Sequence, residues 1–127
     1  MLKAKDVMTK DVITISPDVT LKDAIELLLE KKISGMPVVD KKGKMIGIIS
    51  EKDILNFAFS GNLSITKVSE AMSKNIISFP PNEDVDSIAL TISENQFRRV
   101  PIIQEGKVVG IVSRRDIIRV SLSLGKK

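Results

Sequence analysis

The sequence predicts an α+β fold of α/β-like character, made of two copies of a strand, helix, hairpin, helix unit whose sheets pack on each other about a pseudo-twofold axis. Three observations predict it. The chain superposes on itself after a shift of 64 positions, and each copy alternates short β-branched runs with amphipathic helical periods. Its 127 residues, 28% charged and 43% hydrophobic, suit one compact domain or two small ones sharing a core.

The repeat begins where Val7-Met8-Thr9-Lys10-Asp11-Val12-Ile13-Thr14 falls on Ala71-Met72-Ser73-Lys74-Asn75-Ile76-Ile77-Ser78. The register then runs without a gap through Pro17 on Pro81 to Met36-Pro37-Val38-Val39 on Val100-Pro101-Ile102-Ile103. One residue is lost in the next turn. Beyond it, Gly47-Ile48-Ile49-Ser50-Glu51-Lys52-Asp53-Ile54 lies on Gly110-Ile111-Val112-Ser113-Arg114-Arg115-Asp116-Ile117 at a spacing of 63. The repeats are residues 1–60 and 65–123.

In each copy the elements follow in order. Val12-Ile13-Thr14-Ile15 reads as a β-branched strand closed by Ser16-Pro17. A helix follows, with Thr20 and Asp23 as a capping box and Leu21, Ala24, Ile25 and Leu28 on one face. The second copy repeats that face with Val85, Ile88, Ala89 and Ile92, capped by Asp84. Strands over residues 37–40 and 45–50, joined by a turn at Gly43, form a hairpin, and a shorter helix from about Glu51 to Ala58 closes the unit.

A unit of this size buries little surface alone, and runs such as Met45-Ile46-Gly47-Ile48-Ile49 suit a sheet covered on both faces. Leu27, Leu29, Phe57 and Phe59 leave extra apolar surface. This surface either covers the linker or pairs with a second molecule, and a homodimer is the expected arrangement.

Composition excludes much chemistry. There is no Cys, His, Trp or Tyr, which removes disulfides, thiol nucleophiles, Cys/His zinc sites and a Ser-His-Asp triad. No P-loop is present, so no enzyme activity is expected. Without a long apolar run or an N-terminal apolar segment, the chain is expected to be cytoplasmic, with no membrane partner.

The net charge of +4 is unevenly built. Residues 1–63 carry ten Lys, no Arg and nine acids, whereas 64–127 carry five Lys, five Arg and seven acids. Four arginines form the pairs Arg98-Arg99 and Arg114-Arg115, and guanidinium suits bidentate phosphate recognition. A solvated basic face is the plainer explanation of the same residues.

Both copies carry G-h-h-S-x-x-D at a strand-to-helix junction, Gly47 to Asp53 and Gly110 to Asp116. Taken singly, S-x-x-D is a helix capping box. Taken as a duplicated pattern it points to a ligand. A helix N-terminus presents N–H groups to an anion, Ser can bond a phosphate, Asp can accept from sugar hydroxyls, and Gly admits close approach to the strand.

These motifs, with V-M-T-x-D-V-I-T-I-x-P and x-G-M-P-V-V-D ahead of G-I-I-S-E-K-D-I, resemble a tandem pair of cystathionine β-synthase (CBS) domains, a Bateman module, over residues 3–120. The resemblance implies βαββα units, sheet-to-sheet packing, and two clefts between the repeats that hold adenosine nucleotides as regulatory ligands. It also implies a sensor acting on an unidentified effector protein, with no other cofactor and no metal. One cleft would combine Gly110, Ser113, Arg115 and Asp116 with an adenine site at Ile13, Ile33, Ser34, Met36, Pro37 and Ile111, with Arg98 and Arg99 at the phosphates. Asp116 would take the ribose hydroxyls and Ser113 a phosphate. The other would use Gly47, Ile48, Ser50, Lys52 and Asp53 with Ile77, Phe97, Arg98, Val100 and Pro101.

The clefts differ, because Arg98-Arg99 and Arg114-Arg115 stand where the first repeat has Ser34-Gly35 and Glu51-Lys52. Tighter phosphate binding is expected at Asp116. Alternatives of other kinds stay open. S-adenosylmethionine shares the adenosine, a docking protein would leave both clefts empty, and the sequence pI of about 9.4 raises nucleic-acid binding. No Trp or Tyr is available for base stacking and no continuous basic stripe exists, so nucleic acid is not the expected partner.

Overall fold

The long helix of each repeat is set by its caps. In the computed structural model, which describes residues 1–124, α2 spans Leu21–Lys31 and α5 spans Val85–Asn95. For α2 the Thr20 and Asp23 capping box forms as expected, with the Asp23 N–H donating to Thr20 Oγ1 at 3.2 Å. Both helices end on a residue in the left-handed region, Lys32 and Gln96. The next N–H then reaches back five residues, Ile33 to the Leu28 carbonyl and Phe97 to the Ile92 carbonyl.

Each helix leads into an antiparallel hairpin. β1 (Gly35–Val39) pairs with β2 (Met45–Ser50), and β3 (Arg99–Gln104) with β4 (Lys107–Ser113), giving two separate two-stranded sheets. A bulge falls at the same place in each, between Val38 and Val39 and between Ile102 and Ile103. The single-residue length difference lies in the turns. The first is braced by Asp40 Oδ1, which accepts from the Lys42 and Lys44 amides at 2.9 Å. The second is a two-residue turn with positive φ at Glu105 and Gly106, the twist that matches paired strands.

The closing helices are unequal. α3 stops at Leu55 (Glu51–Leu55), short of the expected Ala58, and the chain continues as turns through which Phe57 packs against the core. α6 runs over eleven residues, Arg114–Leu124.

The described chain divides into two compact units, residues 1–12 with 77–124 and residues 13–76. Each unit includes a short opening helix that the sequence reading missed, α1 (Ala4–Val7) and α4 (Val68–Ala71). They dock in the same way. Ala4 and Lys5 donate to the carbonyls of Glu83 and Pro81, and Val68 and Ser69 donate to those of Val19 and Pro17. The side chains of Ala4 and Val68 are fully buried. Unit 1 gathers its core from Ala4, Ile88, Ile92, Val100, Ile102 and Val112, and unit 2 from residues such as Leu21, Ala24, Leu28, Val38 and Ile49.

Three expectations are corrected. The strand over 12–15 shrinks to one parallel bridge, Ile15 with Val38, mirrored by Phe79 with Ile102. Ile15 donates to the Pro37 carbonyl and accepts from Val39, so extending the ladder would require N–H groups from Pro37 and Pro17, which have none. Pro101 and Pro81 block the second copy identically. Next, Asp84 occupies the N-cap position of α5 without a side-chain capping bond, because its carboxylate pairs with Lys3. That bond holds the Lys3 ammonium above its ordinary pKa. Finally, Leu27 and Phe57 pack partly buried against the unit 2 core, leaving Leu29 and Phe59 as the exposed pair.

Candidate functional site

The S-x-x-D segments lie where the reading put them, at the passage from β2 into α3 and from β4 into α6. Both form complete capping boxes. In unit 1 Asp116 Oδ2 accepts from the Ser113 amide at 2.8 Å and from Ser113 Oγ at 2.9 Å, while the Asp116 amide donates to Ser113 Oγ at 3.1 Å. In unit 2 the Ser50 amide and Oγ both donate to Asp53 Oδ2 at 2.9 Å, and the Asp53 amide donates to Ser50 Oγ at 3.4 Å. The first helical amide is satisfied too, Arg114 by the Arg98 carbonyl and Glu51 by the Ser34 carbonyl. Ser34 and Arg98 are thereby fixed beside the two helix starts.

The second carboxylate oxygen separates the junctions. Asp116 Oδ1 accepts from Arg119 Nη1 at 3.2 Å, a partner three residues on that the sequence reading missed although the spacing held it. The equivalent of Arg119 in unit 2 is Asn56, which is uncharged. Asp116 is 8% exposed, a buried carboxylate held on both sides, whereas Asp53 is half-buried.

The glycines turn out to admit the chain itself. A Cβ on Gly110 would strike the Met8 side chain, and one on Gly47 would meet Met72 Sδ at 2.6 Å and the Ser73 carbonyl oxygen at 3.0 Å. Those segments also bridge the hairpins' outer edges. Ile111 exchanges both backbone hydrogen bonds with Thr9, and Ile48 with Ser73. The backbone of Ile111, a member of the expected adenine set, is therefore committed to Thr9. Met8, Thr9, Met72 and Ser73 were missed as site-shaping residues, though the aligned V-M-T and A-M-S motifs marked them.

The remaining candidates are placed as follows. In unit 1, register sets Arg99 opposite Ser113, Val100 opposite Val112 and Pro101 opposite Ile111. Val100 is a core residue, Pro101 is buried, Phe97 packs partly buried on the core, Ile77 is exposed, and Arg98 and Arg115 project into solvent. In unit 2, Met36 belongs to the core, Pro37 is buried, Ile13 and Ile33 pack against the core, Ser34 and Ile48 are half-buried, and Lys52 is exposed. The adenine set of Ile13, Ile33, Ser34, Met36 and Pro37 thus belongs to unit 2, and the residues expected to join it belong to unit 1. A cavity of about 620 Å³ lies elsewhere in unit 1, along Ala89, Ile92, Ser93, Gln96, Arg98, Arg114, Ile117 and Ile118, and touches this set only at Arg98.

Among the described residues, no cluster of three or more His, Cys, Asp or Glu is placed to hold a metal ion, and no helix is long and apolar enough to cross a membrane.

Two bulged hairpins, each followed by a capped helix and preceded by a short opening helix, define a duplicated α+β module. The CBS domain family model matches residues 4–60 and 68–123, and the chain belongs to that family. It is 34% identical over 118 residues to the CBS domain-containing protein YhcV of Bacillus subtilis, covering 92% of this chain and 84% of the relative. Other curated relatives are longer: the chain spans 41% of an uncharacterized Methanocaldococcus jannaschii protein and 23% of that organism's inosine-5'-monophosphate dehydrogenase. Among solved structures, CBSX2 in complex with AMP superposes with a TM-score of 0.89 at 27% identity over 99% of this chain and 100% of that one. The CBS domain pair of protein MJ0100 in complex with 5'-methylthioadenosine and S-adenosyl-L-methionine gives 0.85 at 32% identity over 100% and 99%.

Proposed function

We propose that this chain is a non-catalytic sensor that binds an adenosine nucleotide, AMP, ADP or ATP, at its S-x-x-D junctions and relays occupancy to an effector protein as a homodimer. The observation that carries the reading is the unit 1 junction: a buried, doubly held Asp116 carboxylate at the start of an eleven-residue helix, with Arg98, Arg99 and Arg115 nearby in sequence and register. A carboxylate suits ribose hydroxyls and guanidinium suits phosphate. The AMP complex of the similar CBSX2 supports the same ligand class.

S-adenosylmethionine is the second reading, supported by the complexes of the MJ0100 pair. Calorimetric titration with AMP, ADP, ATP and S-adenosylmethionine separates the two. The nucleotides are expected to bind, and Asp116→Ala to weaken them roughly ten- to a hundred-fold, the loss of a hydrogen bond to a charged group. Asp53→Ala is expected to matter less. An unchanged affinity in a folded Asp116→Ala protein, or no binding of any of the four, would overturn the reading. With no Trp or Tyr, co-purified adenine would also stand out near 260 nm.

A further inference from the structure

The two junctions leave different room on their aspartates. A carboxylate accepts about four hydrogen bonds, two at each oxygen. At both junctions Oδ2 is full, because it takes the amide and the hydroxyl of the capping serine. The difference lies at Oδ1. Asp53 Oδ1 has no donor among the described residues, so both of its lone pairs are open. Asp116 Oδ1 already accepts from Arg119 Nη1 at 3.2 Å, and a single lone pair is left.

Helix length explains why only one junction has this donor. α6 runs on through Arg119, three residues past Asp116, which sets guanidinium and carboxylate on one helical face. α3 ends at Leu55, and the equivalent residue, Asn56, falls beyond its last turn. The Arg119 side chain is 72% exposed and that of Asp116 only 11%. The partner able to leave is therefore the arginine, since an ion pair with one solvated member is weak and breaks readily.

We propose that Arg119 gates ribose at the unit 1 junction: a nucleoside with free 2'- and 3'-hydroxyls must turn the guanidinium off Asp116 Oδ1 before both hydroxyls can donate to that oxygen. The proposal rests on the adenosine reading above and adds to it a residue that opposes the ligand. A 2'-deoxy sugar has one of these hydroxyls, and the remaining lone pair accepts it with Arg119 still in place. The gate thus weakens the ribose form and spares the deoxy form, holding the junction below the affinity its bare carboxylate would give. It also converts occupancy into a freed charge on the exposed side of α6.

Calorimetry on the full chain with AMP and 2'-deoxy-AMP tests this. Both carry the same phosphate, so the ratio of their affinities cancels any attraction between Arg119 and phosphate. Arg119→Met removes the donor at an exposed position and is expected to keep the far-ultraviolet spectrum. It is expected to raise the preference for AMP over 2'-deoxy-AMP about two- to five-fold, the strength of an exposed ion pair. In an Asp116→Ala background the same change is expected to leave the preference unaltered, because gate and carboxylate act as one pair. A folded Arg119→Met chain with the wild-type preference, or an equal rise in the Asp116→Ala background, would overturn the gate and leave the nucleotide reading standing. AMP bound as tightly by a folded Asp116→Ala chain as by the wild type, or no binding of either nucleotide, would overturn that reading and the gate with it.

Discussion

Units 1 and 2 share a backbone plan and differ in what their junctions hold. Both place a capping serine and aspartate on the last strand residue and first helical turn, with the first amide tied to the residue ahead of the hairpin. Only unit 1 adds Arg119 to the aspartate, buries it, and continues the helix to eleven residues against five. Scaffold bonds are retained on both sides, and the charged side chains around them have diverged. Duplication here preserves what folds the unit and frees what surrounds the junction.

The largest test of that comparison lies in the cores. Leu21 and Val85 are equivalent first residues of the long helices, 0% and 7% exposed. Leu21→Ala is expected to cost about 2–5 kcal/mol and Val85→Ala less, because fewer carbon atoms are removed from a slightly more exposed site. Chemical denaturation measures both. Equal losses would show that the units are not packed alike.

The glycines sharpen it further. Gly110→Ala and Gly47→Ala are each expected to destabilise by about 1–3 kcal/mol through overpacking. Adding Met8→Ala should recover much of the Gly110→Ala loss, since all its close contacts are Met8 atoms. Adding Met72→Ala should recover less of the Gly47→Ala loss, since the Ser73 carbonyl remains at 3.0 Å. Thermal melts of the four variants decide the order.

Smaller effects belong to the caps and the surface. Ser50→Ala and Ser113→Ala are each expected to cost about 0.5–2 kcal/mol as lost N-caps, with the greater loss at Ser113, where the carboxylate left behind is buried. The smallest concerns unit 1 alone. The hydrogen bond and charge of Asp84 raise the Lys3 pKa, so the pair favours the folded state at neutral pH and below the ordinary lysine value of 10.5, and loses this effect as pH rises through the folded value. Lys3→Met should remove that alkaline dependence and lower neutral stability by the same small amount, so that variant and wild type converge at high pH, as melts from pH 7 to above 11 would show.

What the sequence disclosed follows from the range of the interactions involved. The helix faces, hairpins and S-x-x-D caps depend on spacings of two to four residues and could be read directly. The four-residue helices α1 and α4 have too few residues to show a period, and their positions depend on carbonyls of Pro81, Glu83, Pro17 and Val19 elsewhere in the chain. Asp84 looked like a cap because its competitor, Lys3, lies 81 residues away. Pro37 and Pro17 were visible, but their effect on the strand at Ile15 emerges only once the two segments are paired. At the site, the serines and aspartates were legible as a repeated pattern. That Met8 and Met72 would lie on the glycines was not, because tertiary contact brings them there.

The backbone pairing of Thr9 with Ile111 has a consequence for how the protein is made. During synthesis residues 13–76 emerge as a continuous stretch holding every element of their own unit, whereas Met1 to Val12 must wait, unpaired, for a strand translated some hundred residues later. Closing so long a loop is an entropic cost met late, so residues 1–12, made before the rest of their unit, are among the last to find their place.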